Sequence, residues 1–189
     1  ITGIGNEYAI QLFESKEYVS EGIYKEFCIV ATENNTKVKI TPHANTVSGE
    51  KPHVTYEVTL QRGQTYLVQS ADGTLNLSGS HIISNNPVAV FAGHECALVP
   101  DGNTACDHIV EQQLPVNMWG KKFALTKTYG QTGDYIMLTT MSDNTEIRVN
   151  GTLVSVLNKL DSYTFRLTAN SSYVETSNPV ACYLYVEGG

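Results

Sequence analysis

Phe27-Cys28-Ile29-Val30-Ala31-Thr32-Glu33-Asn34-Asn35-Thr36-Lys37-Val38-Lys39-Ile40 holds two apolar-rich runs about a polar turn, and the pattern recurs. Its second copy is Ile136-Met137-Leu138-Thr139-Thr140-Met141-Ser142-Asp143-Asn144-Thr145-Glu146-Ile147-Arg148-Val149. In Lys37–Ile40 apolar residues alternate with charged ones, the period of a strand with one wet face. At the centre of each copy stands Asn34-Asn35 or Asp143-Asn144. Asn and Asp tolerate left-handed backbone, so each pair is expected as a tight turn joining a hairpin.

The likeness extends outward in both directions. Leu60-Gln61-Arg62-Gly63-Gln64-Thr65-Tyr66 lines up with Leu157-Asn158-Lys159-Leu160-Asp161-Ser162-Tyr163. Asn86-Pro87-Val88-Ala89-Val90 lines up with Asn178-Pro179-Val180-Ala181-Cys182, and Gly5-Asn6-Glu7-Tyr8-Ala9 with Gly120-Lys121-Lys122-Phe123-Ala124. Four blocks in the same order make an internal repeat. The strand candidates are Glu7–Phe13, Phe27–Thr32, Lys37–Thr41, His53–Leu60, Thr65–Gln69 and Val88–Ala92, with Lys122–Thr128 opening the second copy. The prolines fall between these runs or at their starts, and the last strand of each copy is expected after Asn-Pro. Residues 107–114 allow at most two turns of helix. The predicted fold is all-β, two tandem antiparallel β-sandwich units of about seven strands each. They span 1–95 and 116–189, with 96–115 as a disulfide-containing connector. One fused, elongated β-structure is the competing architecture.

Composition narrows the function. Hydrophobic residues are 41% of 189, enough for a packed core, while charged residues are only 16%. The formal charge of −7 argues against nucleic acid and against a polybasic membrane patch. No apolar run approaches the roughly 18 residues of a membrane span, so membrane insertion is not expected. The sequence opens on Ile1 rather than Met, as a trimmed fragment or a processed secreted chain would, and no signal peptide is read in it. Sequons at Asn34, Asn76, Asn150 and Asn170 fall at or near predicted turns and favour secretion. So does the even count of four cysteines. Cys96 and Cys106 bracket Pro100, Asp101, Gly102 and Asn103, turn chemistry that a disulfide would close. Cys28 and Cys182 occupy non-equivalent strand positions; pairing, staying as thiols and bridging chains are all open to them.

His94, Glu95, Cys96, Cys106, Asp107, His108 and Glu111 concentrate the reactive side chains. A metal site would draw on His94, His108, Asp107 and Glu111, but their spacing fits no zinc pattern. Hydrogen bonding of Asp107, His108 and Glu111 within an irregular connector accounts for them better. A thiolate at Cys96 or Cys106 beside His108 would need an open cleft and an unpaired thiol. No nucleophile elbow, phosphate loop or calcium loop occurs, so neither an enzyme nor a cofactor is expected. Trp119 reads as a core anchor of the second copy. Tyr8, Tyr18, Tyr24, Tyr183 and Tyr185 read as a binding face or, more simply, as cross-strand packing.

The chain resembles the IgGFc-binding protein amino-terminal domain family. The likeness is carried by Gly79–Ala97, with Pro87-Val88-Ala89-Val90-Phe91, Gly93 and Cys96-Ala97 inside it. It continues through Cys106-Asp107-His108, Glu111-Gln112, Leu114-Pro115, Trp119-Gly120 and Phe123. The resemblance implies an extracellular, all-β, non-catalytic protein and immunoglobulin Fc as a partner, with no residue assigned to that activity. Three roles are open. They are a structural or adhesive building block of a glycosylated matrix, mucus or filament, a binding module for Fc, glycan or another surface protein, and an enzyme. For the first, open sheet edges template self-association. The stretch Ile1–Phe13, followed by the gap Glu14–Lys25, is a candidate to add to a neighbour's sheet and build a fibre. The competing reading makes Glu7–Phe13 the first strand of its own sandwich.

Overall fold

In the computed structural model, which describes residues 3–15, 23–100 and 105–188, the repeat folds into two antiparallel sheets. The first holds β1 (Gly5–Ala9), β2 (Lys25–Ala31), β3 (Thr36–Thr41), β4 (Tyr56–Leu60), β5 (Thr65–Gln69), β6 (His81–Ala97) and β7 (Asp107–Gln112). The second holds β8 (Gly120–Thr126), β9 (Asp134–Thr140), β10 (Thr145–Val149), β11 (Thr152–Leu157), β12 (Ser162–Leu167) and β13 (Ser171–Val186). Asp101, Gly102 and Asn103 of the disulfide loop, and Tyr18, lie outside the described residues.

The expected hairpins across Asn34-Asn35 and Asp143-Asn144 do not form. β2 and β3 lie one after the other along β6: Ala31 faces Val88, and Val38 faces Ser84. β5 and β4 repeat the arrangement against β2 and β3. Asn35 and Asn144 do take left-handed backbone, at φ 55 and 52. What each makes is a corner, where a ribbon of sheet turns and continues. The sheet thereby folds over itself, as strands that pass between layers allow. Phe27 and Ile29 of β2, Val38 and Ile40 of β3, and Ile82 and Val90 of β6 close on one core. The second unit repeats the design around Ile136, Leu138, Ile147 and Val174, with β9 and β10 laid along β13. Each such side chain, fully buried, contributes about 1.5–3 kcal/mol.

The last strand of each copy does not start after Asn-Pro but runs through it. Pro87 lies between Ser84 and Val88, where β6 pairs with neither β2 nor β3. Its missing N–H therefore breaks no ladder bond there. The same corner carries a hydroxyl latch. Asn86 Nδ2 donates to Thr36 Oγ1 at 3.3 Å, and Thr36 Oγ1 donates to the Glu33 carbonyl at 2.8 Å. In the second unit Asn178 Nδ2 donates to Thr145 Oγ1 at 3.2 Å, and Thr145 Oγ1 to the Ser142 carbonyl at 2.9 Å. Both threonines are fully buried.

β1 ends at Ala9, short of the expected Phe13, and pairs with β6 of its own sheet. Tyr8, Ile10 and Leu12 sit in the first core, so this strand is not available to a neighbouring chain. Ala9, Gln11 and Phe13 turn the other way, onto the second unit. Ala9 packs with Trp119, Ala181 and Tyr183. Gln11 Nε2 donates to Thr139 Oγ1, and Gln113 Oε1 accepts the Gln11 N–H at 2.9 Å. Trp119 thus anchors the seam between units rather than the second core, its indole N–H donating to the Leu114 carbonyl at 3.0 Å. Residues 107–112 are strand rather than helical turns, because Phe91–Ala97 of β6 offers them a ladder. The seven strands expected of each copy are, among the described residues, seven in the first sheet and six in the second, where no strand takes the place of β7.

Thr36→Val and Thr145→Val are each expected to lower unfolding free energy by about 1–3 kcal/mol, because a half-buried asparagine amide and a corner carbonyl each lose a hydrogen bond. The denaturant midpoint reads this, and Thr→Ser at the same positions should lose clearly less. Unchanged midpoints for the valine variants would mean that the corner holds without its hydroxyl.

Candidate binding groove

The reactive residues near the connector do not converge. His94 is buried on β6, and its Nδ1 accepts the Cys96 N–H at 3.1 Å. Burial, and secondarily the Lys25 charge, push its pKa down to about 4. Glu95, Asp107, His108 and Glu111 are exposed. Among the described residues no three His, Cys, Asp or Glu side chains gather as a metal site requires. Cys96 and Cys106 are joined as a disulfide with Cα atoms 5.0 Å apart, so neither offers a thiolate. The bridge ties the end of β6 to the start of β7. Cys28 and Cys182 are free thiols, half-buried in separate sheets. Burial raises both pKa values, that of Cys182 to about 11, which leaves them protonated and poorly reactive at neutral pH.

The connector residues instead form one wall of a groove of about 490 Å³ between the units. Asp107 to Glu111 of β7 line one side, and Tyr183 to Gly188 at the end of β13 line the other. Phe13 forms part of the floor. Its ring meets Tyr185 at 5.2 Å and Tyr135 edge-on at 5.6 Å between centroids. Tyr183 holds the groove to the connector, its hydroxyl accepting the Leu114 N–H at 2.6 Å. At the far end the Gly188 N–H donates to the Val99 carbonyl at 2.7 Å. Glu187 is engaged by Arg166 at 2.6 Å and by Thr132. Of the tyrosines singled out in the sequence, Tyr183 and Tyr185 reach this groove, while Tyr8 is a core residue bonded to the Val88 carbonyl at 2.6 Å. Phe13, Tyr135 and Glu187 escaped the sequence reading. For Phe13 a signal existed: alternation continues past Ala9, which sends every second residue of 9–13 away from the first core.

A second cavity of about 550 Å³ opens elsewhere along the seam, lined by His43, Asn76, Tyr135 and Asp161 among others. No helix among the described residues is long and apolar enough to cross a membrane.

The His94 environment predicts a pH dependence. Folded, His94 stays neutral down to about pH 4; unfolded, it takes a proton near 6.5. Between these values the unfolded chain binds more protons, so its share of stability is present above about 6.5 and is lost as pH falls toward 4. Urea unfolding across that window should show a fall that His94→Gln flattens. Identical slopes in both proteins would place the acid sensitivity elsewhere.

The family model described as IgGFc binding protein matches residues 1–189. A curated relative, the IgGFc-binding protein of Homo sapiens, is 29% identical over 150 residues. That match covers 79% of this chain and 3% of the relative, so the chain spans a small fraction of that protein's length. No solved structure matches the chain. With the family model matched from the first residue to the last, the chain belongs to the IgGFc-binding protein family.

Proposed function

We propose that this chain is a non-catalytic structural and adhesive module of an extracellular, glycosylated matrix, mucus or filament. Its two units, 1–95 and 116–189, are joined by the disulfide-bearing connector 96–115, which lends β7 to the first sheet. The observation that carries the reading is the edge strand β11. It pairs with β10 alone among the described strands, yet Leu153, Val154 and Val156 stand 45%, 38% and 53% exposed on it. An apolar, unpaired edge is a template for another chain. Self-association through β11 suits a building block whose own N-terminal strand is locked inside.

Glycosylation fits the same role. Asn34, Asn150 and Asn170 are exposed, and Asn76 is half-buried at the second cavity, its Oδ1 accepting the Ser78 N–H at 2.9 Å. Glycans at these turns would shield a weakly charged surface. The second reading is a binding module for immunoglobulin Fc, glycan or another surface protein. The name of the human relative favours Fc, and the groove between the units supplies a place.

Sedimentation velocity over rising concentration should show oligomers of the wild-type chain and a monomer for the double variant Val154→Lys, Val156→Lys. A wild-type chain that stays monomeric, and that captures Fc in surface plasmon resonance, would replace the structural reading with the second. Peptide masses from chain expressed in eukaryotic secretory cells should show N-glycan at Asn34, Asn150 or Asn170. Unmodified masses at all three would remove the glycoprotein part.

A further inference from the structure

Among the described residues the two copies differ in one strand. In the first unit β6 has neighbours on both sides over Phe91–His94: β2 on one and β7 on the other. The repeat equates Val90 with Cys182, and therefore Phe91–His94 with Tyr183–Val186. Over that stretch β13 has β9 on one side. β8 pairs no further along β13 than Val180. Among the described residues no strand occupies the position that β7 takes in the first unit. β7 itself pairs with β6 alone.

Both half-paired strands line the groove, and they do so with consecutive residues. A sheet face presents every second residue, whereas an edge presents them all. Asp107 to Glu111 of β7 and Tyr183 to Val186 of β13 line it without gaps, so the groove runs along two strand edges rather than across a face. Leu12, Phe13, Ala97 and Val99 give it an apolar floor. Asp107, Glu111 and Glu187 give it an acidic rim, with Glu187 already neutralised by Arg166. Tyr185, which stands where β6 has Gly93, turns its ring onto Phe13.

We infer that this groove is a strand-accepting site for an extended, basic peptide segment of another protein, which adds beside β13 as β7 adds beside β6. The backbone ladder supplies affinity and alternate side chains supply selection. The apolar floor takes one set of alternate residues, and Asp107 and Glu111 take Lys or Arg from the other set. A second copy of this chain is the less suited occupant, since it carries a net −7 toward an acidic rim. The site is separate from β11 and stands whether or not the chain self-associates.

A synthetic octapeptide alternating Lys and Val, fluorescently labelled, tests it by polarisation at low salt against the whole chain. Binding is expected, with backbone-amide shifts in NMR confined to Asp107–Glu111, Tyr183–Gly188 and their neighbours. The double variant Asp107→Lys, Glu111→Lys should weaken it by about tenfold or more. N-methylation of one alternate set of peptide amides should abolish binding while methylation of the other set leaves it, because only one set faces the accepting edge. Equal tolerance of both methylated sets would overturn the ladder, leaving charge attraction alone. No binding, or shifts elsewhere, would overturn the site. If the rim variant instead abolishes self-association of the peptide-free chain, the occupant is a second copy and the assignment to a basic partner is wrong. The β11 double variant should bind the peptide as wild type does, so failure of the self-association reading leaves this result untouched.

Discussion

The buried hydroxyl at each corner, Thr36 in the first unit and Thr145 in the second, holds the fold's central constraint. A sheet that folds over itself must bend every ribbon along one line, and backbone at a bend leaves the ladder. Groups that leave a ladder inside a protein need other partners. Thr36 and Thr145 supply them by accepting from the asparagine before proline and donating to a carbonyl of the corner. The next ribbon out is tied to the same place. Gly63 N–H reaches the Ala31 carbonyl, and Leu160 N–H the Thr140 carbonyl, both at 2.8 Å. Asn34 Oδ1 accepts the Arg62 N–H and Asp143 Oδ1 the Lys159 N–H, at 3.1 and 3.0 Å. Three ribbons bend together because each corner is hydrogen-bonded to the next.

This explains which part of the fold could be read from the sequence. The repeat was legible because the corner residues recur at fixed spacing, and strands such as Thr36–Thr41 follow directly from alternation. The pairing was not legible. An Asn-Asn between two alternating runs has the same chemistry in a hairpin and at a corner, since both need left-handed backbone. What separates them is the long strand alongside, and Asn86-Pro87 hides it. Proline suggests a strand start, yet here it occupies the break in β6 between the stretches bonded to β3 and to β2. The disulfide pair was legible from its turn-rich loop, whereas β7 was not, because Ile109 and Val110 are adjacent and show no alternation.

The site was less legible still, because it belongs to the seam between units. Residues there satisfy two surfaces at once. Tyr8, Ile10 and Leu12 face one core while Ala9, Gln11 and Phe13 face the other, so the segment looks continuously apolar except at Gln11. That glutamine is buried with Gln113, and among the described residues Gln11 Oε1 and Gln113 Nε2 find no partner. Buried amide atoms left without a partner cost free energy. The seam therefore rests on its apolar clusters, and the glutamines set register through the bonds they do make.

Leu160 shows how the second copy has been fitted to this seam. At the equivalent corner the first copy has Gly63, with φ 80, where glycine is at ease. Leu160 takes the same left-handed backbone, at φ 71, where a side chain with Cβ is strained by about 1–2 kcal/mol. Glycine would close the corner without that strain. The compensation lies at the seam. Leu160 packs against the cluster of Ala9, Trp119, Ala181 and Tyr183, and its carbonyl lies where a Cβ on Gly79 of the first unit would meet it at 3.3 Å. Burial of part of a leucine, worth up to about 2–3 kcal/mol when complete, offsets the backbone cost. The strain at Leu160 is thus a local conflict resolved by tertiary contact. Most of that contact comes from the second unit, through Trp119, Ala181 and Tyr183, and Ala9 joins it from the first.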